Sequence, residues 1–136
     1  MNLIIDDTDH PLIIKVASIP NTRIQVYFID NDDYFMKRQM ALDENGEEYA
    51  DNGERAIFFA RGVLETVKKL RWTPDIIHCQ GWMADVIPLY IKTAYTMNPL
   101  CQHKSGHLSF PKPAEERLWR ELQALCGIQG CQRRTA

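Results

Sequence analysis

Residues 72–82 read Trp72-Thr73-Pro74-Asp75-Ile76-Ile77-His78-Cys79-Gln80-Gly81-Trp82, and this run decides the fold. Pro74 marks the end of whatever precedes it. Asp75 to Cys79 is short and apolar, which predicts a buried parallel strand. Gln80-Gly81-Trp82 predicts a sharp turn, and a helical pattern lies on either side. Helix, short strand, tight turn, helix is the order of a doubly wound α/β sheet. In such sheets ligands bind beyond the carboxyl ends of the strands, and His78 to Trp82 occupies that position.

Upstream, Ala56, Phe59, Val63 and Val67 recur at helical spacing, and Ile57 and Leu64 widen the stripe. The spacing predicts a helix from about Gly53 to Leu70. Asp51 or Asn52 is placed to cap it, and Lys68, Lys69 and Arg71 suit the negative pole at its end. Before it, Asp30 to Asn52 is polar and acidic, with Glu44-Asn45-Gly46 as a turn signal. Tyr34, Phe35 and Tyr49 are the side chains expected to pin this loop to the body. Leu12 to Ile19 is β-branched between two prolines, and Arg23 to Ile29 alternates with Ile24, Val26 and Phe28 on one face. These predict two strands joined through Asn21-Thr22 as an antiparallel hairpin.

Downstream, Met83 to Tyr95 predicts a second helix, with Pro88 kinking it or lying near its start. From about Asn98 the order breaks down. Pro111-Lys112-Pro113 is a stop, Ala114 to Leu125 has an amphipathic pattern through Leu118, Leu122 and Leu125, and Cys126 to Ala136 is polar and basic. The next strand that a doubly wound sheet requires is not evident in this stretch.

The chain has 136 residues, 45% hydrophobic and 25% charged, about one domain of ordinary globular composition. This excludes collagen-like, low-complexity and wholly disordered classes. A net charge of -2 gives no global field for nucleic acid. No apolar run nears the roughly 20 residues of a membrane helix, and the N-terminus lacks a secretion signal. The expectation is a cytoplasmic protein whose four cysteines are thiols. The charge is uneven: residues 1–97 carry 15 acids and 10 bases, and residues 98–136 carry 3 acids and 6 bases.

Several groups invite a chemical reading. His78 at a strand end is the best single-site candidate, against the plainer role of a structural histidine. Gly81 permits a tight turn and close ligand approach. Trp82 suits either stacking on a ligand or a packed core. Asp51-Asn52 and Glu54-Arg55 read as cap and brace of a helix. Asp30-Asn31-Asp32-Asp33 lacks the regular oxygen spacing and glycine turn of a calcium loop and reads as solvated. Cys101, His103, His107, Cys126 and Cys131 are zinc-type ligands, but in no standard spacing.

The tracts Tyr49-Ala50-Asp51-Asn52-Gly53-Glu54-Arg55, Phe58-Phe59 and Trp72 to Trp82 resemble the bacterial glycogen/starch synthases, as does Val26 to Tyr34 before them. That family has an Asp-Asn-x-x-Arg helix start and a Pro-Asp-(apolar)₂-His-x-His-(Asp/Gly)-Trp strand-turn. The resemblance covers roughly residues 1–97. It implies the GT-B architecture, two Rossmann-like domains facing across a cleft. This chain then corresponds to a partial acceptor-side sheet with flanking helices, incomplete at both ends. The implied parent reaction is metal-independent, cofactor-free transfer of glucose from ADP-glucose (less often UDP-glucose) to an α-1,4-glucan, with retention. The implied substrate-binding residues are His78, Gln80, Gly81 and Trp82, and no catalytic residue is carried over. Gln80 stands where the family has its second histidine, and glutamine does not titrate near neutral pH.

The tail adds one expectation. Allowed codons for Cys101 to Phe110, read one base later, give Ala-Asn-Thr-Lys-Val-Val-Ile-Ser-Leu, a strand of the kind this family has here. Residues from about 100 onward therefore read as a frameshifted synthase sequence, and 98–136 as a divergent tail. The leading functional expectation is a truncated, inactive synthase-family chain. The alternatives are a non-catalytic remnant binding glucan or a full-length synthase, and a zinc-binding tail protein.

Overall fold

The computed structural model describes residues 1–95 and the backbone of one further strand, 105–109. Two hairpins come first. β1 (Asn2–Ile5) and β2 (Thr8–Pro11) pair antiparallel through Asp6 and Asp7, whose φ angles of 48° and 58° make the two-residue turn that matches strand twist. Leu3 and Ile5 point into the core between exposed neighbours. β3 (Ile13–Ser18) and β4 (Gln25–Asp30) form the second hairpin, antiparallel as expected and close to the expected bounds, but Ile24 and Phe28 of the expected apolar face are exposed and Ile29 on the other face packs against α2.

The acidic loop contains a short helix that its composition concealed, α1 (Asp32–Phe35). Buried Asn31 caps it, accepting from the Tyr34 backbone N–H at 3.1 Å and donating to Pro11 O at 2.9 Å. Asp30 pairs with Lys15, so the acidic run is divided among a strand end, a cap and a helix. Gly46 (φ 82°) turns the chain as the Glu44-Asn45-Gly46 signal predicts, and Asp43 Oδ1 accepts from the N–H groups of Asn45 and Glu47.

Helix α2 (Asn52–Lys69) matches the predicted span, but its buried positions include Phe58, Ala60, Gly62 and Thr66 beside Ala56 and Leu64, and Phe59, Val63 and Val67 of the expected stripe are only half-buried, because the helix packs on two sides. Its start departs from expectation. Asp51 sits at the cap position but makes no capping bond, because its carboxylate is taken by the Arg38 guanidinium in a two-pronged pair. Asn52 instead donates to Ala41 O and accepts from Arg55. Arg55, 1% exposed, is the brace. It donates to Tyr34 O (3.0 Å), Met40 O (2.8 Å) and Gln39 O (2.9 Å), and lies over the rings of Phe35 and Tyr49. The loop is thereby tied to α2 through its backbone carbonyls.

β5 (Ile76–Gln80) follows, then a 3-10 turn (Trp82–Ala84) and α3 (Val86–Lys92). The predicted single helix Met83–Tyr95 is thus a tight turn plus a shorter helix, with Pro88 in the first turn of α3, where its missing N–H costs nothing. β6 (Ser105–Ser109) pairs parallel with β5. This corrects the reading that no strand follows α3; the polar residues of β6 hid it from a pattern that looks for apolar runs. The amphipathic stretch Ala114–Leu125 and most of the cysteine/histidine set lie outside the described residues.

Two corrections concern the sheet. The described strands form three two-stranded sheets rather than one continuous doubly wound sheet. β5 is buried on one face only: Cys79 is 2% exposed, Ile76 71%. Two apolar clusters hold the fold. One joins Leu3, Ile5, Leu12, Tyr34 and Phe58; the other joins Ala56, Ala60, Leu64, Cys79, Val86, Ile87 and Ile91. No helix among the described residues is long and apolar enough to cross a membrane.

Gly62 is where α2 meets the second hairpin. A Cβ there would stand 2.8 Å from Ile29 Cγ2 and 3.1 Å from Leu12 Cδ1. Gly62→Ala should lower stability by about 1–2 kcal/mol, overpacking outweighing the gain in helix propensity. Urea unfolding checks this, and an unchanged or raised midpoint overturns it.

The Arg38 hydrogen bond and charge hold Asp51 below the usual carboxylate range, against the opposing effect of burial. A carboxylate depressed in the folded state adds stability above its unfolded value, ~3.9, and loses it as pH falls through the folded value. Asp51→Asn should therefore be less stable at pH 7 and lose less between pH 5 and pH 2. Parallel acid dependence of the two proteins in urea titrations would contradict this.

Candidate functional site

The carboxyl end of β5 is built by alternation and one glycine. Side chains on a strand point to opposite faces in turn. Cys79, with Ile77 packed beside it, faces the α2–α3 cluster. Burial, and then the nearby Asp85 carboxylate, push the Cys79 thiol up, which keeps it neutral. Ile76, His78 and Gln80 point the other way and are exposed. His78 and Gln80 are therefore brought onto one face of β5, two residues apart.

Gly81 ends the strand with φ 84° and ψ 159°, a backbone region open essentially only to glycine. A Cβ at Gly81 would meet nothing within 4 Å. The glycine is thus required by the backbone angle and not by crowding. Its carbonyl accepts from the Ala84 N–H at 3.0 Å, starting the 3-10 turn.

Trp82 is carried to the opposite side. It is partly buried and packs against the α2–α3 cluster. The four sequence-predicted residues therefore separate: His78 and Gln80 share an exposed face, Gly81 sets the turn, and Trp82 anchors the turn to α2. The turn is also steadied through α3. Tyr95 Oη donates to Glu65 at 2.6 Å, and Lys68 pairs with the same carboxylate at 2.9 Å. Burial alone would raise the Glu65 carboxyl, but these two partners outweigh it and hold it low.

Among the described residues no group of three or more histidine, cysteine, aspartate or glutamate side chains is placed to hold a metal. A polar cluster that sequence patterning did not reveal lies elsewhere. The Tyr34 hydroxyl donates to Glu54 Oε2 at 3.1 Å and lies 3.1 Å from His10 Nε2, joining β2, α1 and α2. Burial, then the Glu54 hydrogen bond, push Tyr34 upward, so its hydroxyl stays protonated. The aromatic rings of His10, Tyr34, Phe35 and Phe58 surround it. The cluster fastens the first hairpin to α2, 20 or more residues away in sequence, a distance at which periodicity carries no signal.

Gly81→Ala should destabilise the chain by about 1–3 kcal/mol through backbone strain alone. Chemical denaturation tests this; a cost no greater than that of an exposed helical alanine substitution would refute the backbone account.

Comparison with known proteins bears on this strand-turn. The starch synthase catalytic domain family matches residues 3–107. Glycogen synthase of Chlorobium limicola is 44% identical over 93 residues, 68% of this chain and 19% of that protein. Glycogen synthase of Chlorobium luteolum is 46% identical over 83 residues, 60% and 17% respectively. Glycogen synthase of Chlorobaculum tepidum is 44% identical over 91 residues, 66% and 18%. The chain thus spans less than a fifth of the length of these curated relatives. No solved structure matches it significantly. With the family match covering the hairpins, α2 and the β5 strand-turn in order, this chain belongs to the starch synthase catalytic domain family.

Proposed function

We propose that this chain is part of the acceptor-side wall of a glycogen/starch synthase of GT-B type. The parent reaction is transfer of glucose from ADP-glucose to an α-1,4-glucan. The observation that carries this reading is the β5 strand-turn within a family match over residues 3–107. In the proposal His78 and Gln80 face the sugar, and Gly81 and Trp82 hold the turn that presents them. Gln80 offers a hydrogen-bond donor and acceptor there without a titratable proton.

By itself the chain is proposed to be inactive. Glucosyl transfer requires donor and acceptor to be held together in reacting geometry, and the chain covers less than a fifth of its relatives. The proposed division at residues 97/98, with a frameshifted tail, stands beside a family match that runs on to residue 107. Sequencing the gene decides it: absence of synthase codons in the shifted frame removes the proposal.

A second reading follows from the exposed face shared by His78 and Gln80, which suits weak glucan holding without catalysis. The purified chain should incorporate no labelled glucose from ADP-glucose into glycogen above a no-enzyme control. Co-sedimentation with glycogen that falls on His78→Ala would favour the second reading. Measurable incorporation would overturn inactivity.

A further inference from the structure

The Tyr34 hydroxyl has one proton to give, and Glu54 Oε2 takes it at 3.1 Å. Burial and that bond keep the hydroxyl protonated. Its other polar neighbour is His10 Nε2, also at 3.1 Å, so the imidazole nitrogen has to donate there. The neutral ring is thereby fixed as the Nε2–H tautomer, with its lone pair on Nδ1. Nδ1 is buried and has no hydrogen-bond partner among the described residues. Asp33 Oδ2 stands 4.0 Å from it. A buried acceptor facing a carboxylate is unfavourable, because neither atom supplies a proton to the other. A proton on Nδ1 reverses the sign of the contact: a donor and a positive charge then face the carboxylate.

The contact crosses elements, with His10 on β2 and Asp33 on α1. The His10 side chain is 14% exposed, and its ring is held by Tyr34 and Phe58, with centroids 4.8 Å and 6.4 Å away. The Asp33 side chain is 73% exposed, so it has room to close the gap. The groups around the ring come from every element packed on it. α1 supplies Asp33 and Tyr34, and α2 supplies Glu54 and Phe58. Asp51, before α2, acts on Tyr34 from farther away. Leu3 of β1 stands opposite His10 in the hairpin register, and β1 carries no titratable side chain. Asp9 of β2 is exposed and alternates to the other face. The charged groups facing the ring are thus carboxylates, and each attracts a protonated imidazole.

We propose that His10 is a proton-operated latch: a proton on Nδ1 closes an ion pair with Asp33 and tightens the first hairpin onto α1 and α2, and its loss loosens the hairpin. The latch contributes stability while the imidazole carries its proton, and that contribution is lost as pH rises through the histidine range, roughly pH 5 to 8. The proposal does not rest on the glucosyl-transfer reading, because neither His78 nor Gln80 takes part.

The test uses the full chain with nitrogen-15 in its histidines, followed by NMR from about pH 5 to about pH 8.5. The His10 ring nitrogens are assigned by through-bond correlation. At the alkaline end Nε2 should carry the proton and Nδ1 should not. Hydrogen exchange of the β1 and β2 amides, corrected for intrinsic rates and referred to the amides of α2, gives the second readout. Protection of the hairpin should be several-fold higher at about pH 5.5 than at about pH 8. Asp33→Asn, at an exposed position and checked for folding by circular dichroism, should remove most of that difference while leaving the alkaline tautomer unchanged. A neutral ring protonated on Nδ1 overturns the proposal, as does hairpin protection that does not change with pH. So does a pH dependence that Asp33→Asn retains in full.

Discussion

Helix α2 has to bury two sides at once, and the rest of the structure depends on that constraint. Phe58 closes the cluster with Leu3, Ile5, Leu12 and Tyr34, while Ala56, Ala60 and Leu64 close the cluster with Cys79 and α3. Burying a Phe or Leu side chain contributes roughly 1.5–3 kcal/mol, so the two clusters act through α2 as a shared wall. Small residues let neighbours approach on crowded lines: Ala56 and Ala60 toward the strand-turn, Gly62 toward Ile29. The first turn of the helix is occupied differently. Burying the Arg55 charge carries a desolvation penalty, which burial expresses as a lowered guanidinium value. Three backbone carbonyls and the Asn52 oxygen offset it.

That arrangement explains what was readable in the sequence. The α2 span, the second hairpin, the Gly46 turn and the β5 strand-turn all rest on local rules: periods of 3.6 and 2, turn residues, proline stops. They are found close to where those rules place them. The Arg55 brace was legible as a role in the Asp-Asn-x-x-Arg tract, but its partners were not, because Gln39 and Met40 offer only backbone carbonyls. Any residue supplies those. The same reason hides the diversion of Asp51 from capping: Arg38 competes for it from 13 positions away.

β5 and β6 show the limit of hydrophobic pattern. Asp75 to Cys79 has consecutive apolar residues, Ile76 and Ile77, at its centre, which reads as burial on both faces. The structure buries one face, and Ile76 lies on the other. β6 errs in the opposite sense. Ser105 to Ser109 has little apolar character, yet it pairs in register with Ile76 to Gln80. Parallel pairing is made by the backbone, so polar side chains do not forbid it.

The β5 strand-turn was legible as a place and less so as a geometry. Gln80-Gly81-Trp82 announces a turn, and the turn is there. What sequence adjacency obscures is that neighbouring residues are sent to different environments. Cys79 is buried in the core, Trp82 packs partly buried against it, and Gly81 is committed to a backbone angle that other residues resist. His78 and Gln80 remain, with Ile76, on the exposed face. The fold therefore places few demands on the identity of residue 80. Gln80, where the resemblance implies a second histidine, falls at a position where packing does not select the residue. In the proposed function, glutamine there acts through hydrogen bonding toward a ligand without a titratable proton, and not through stability.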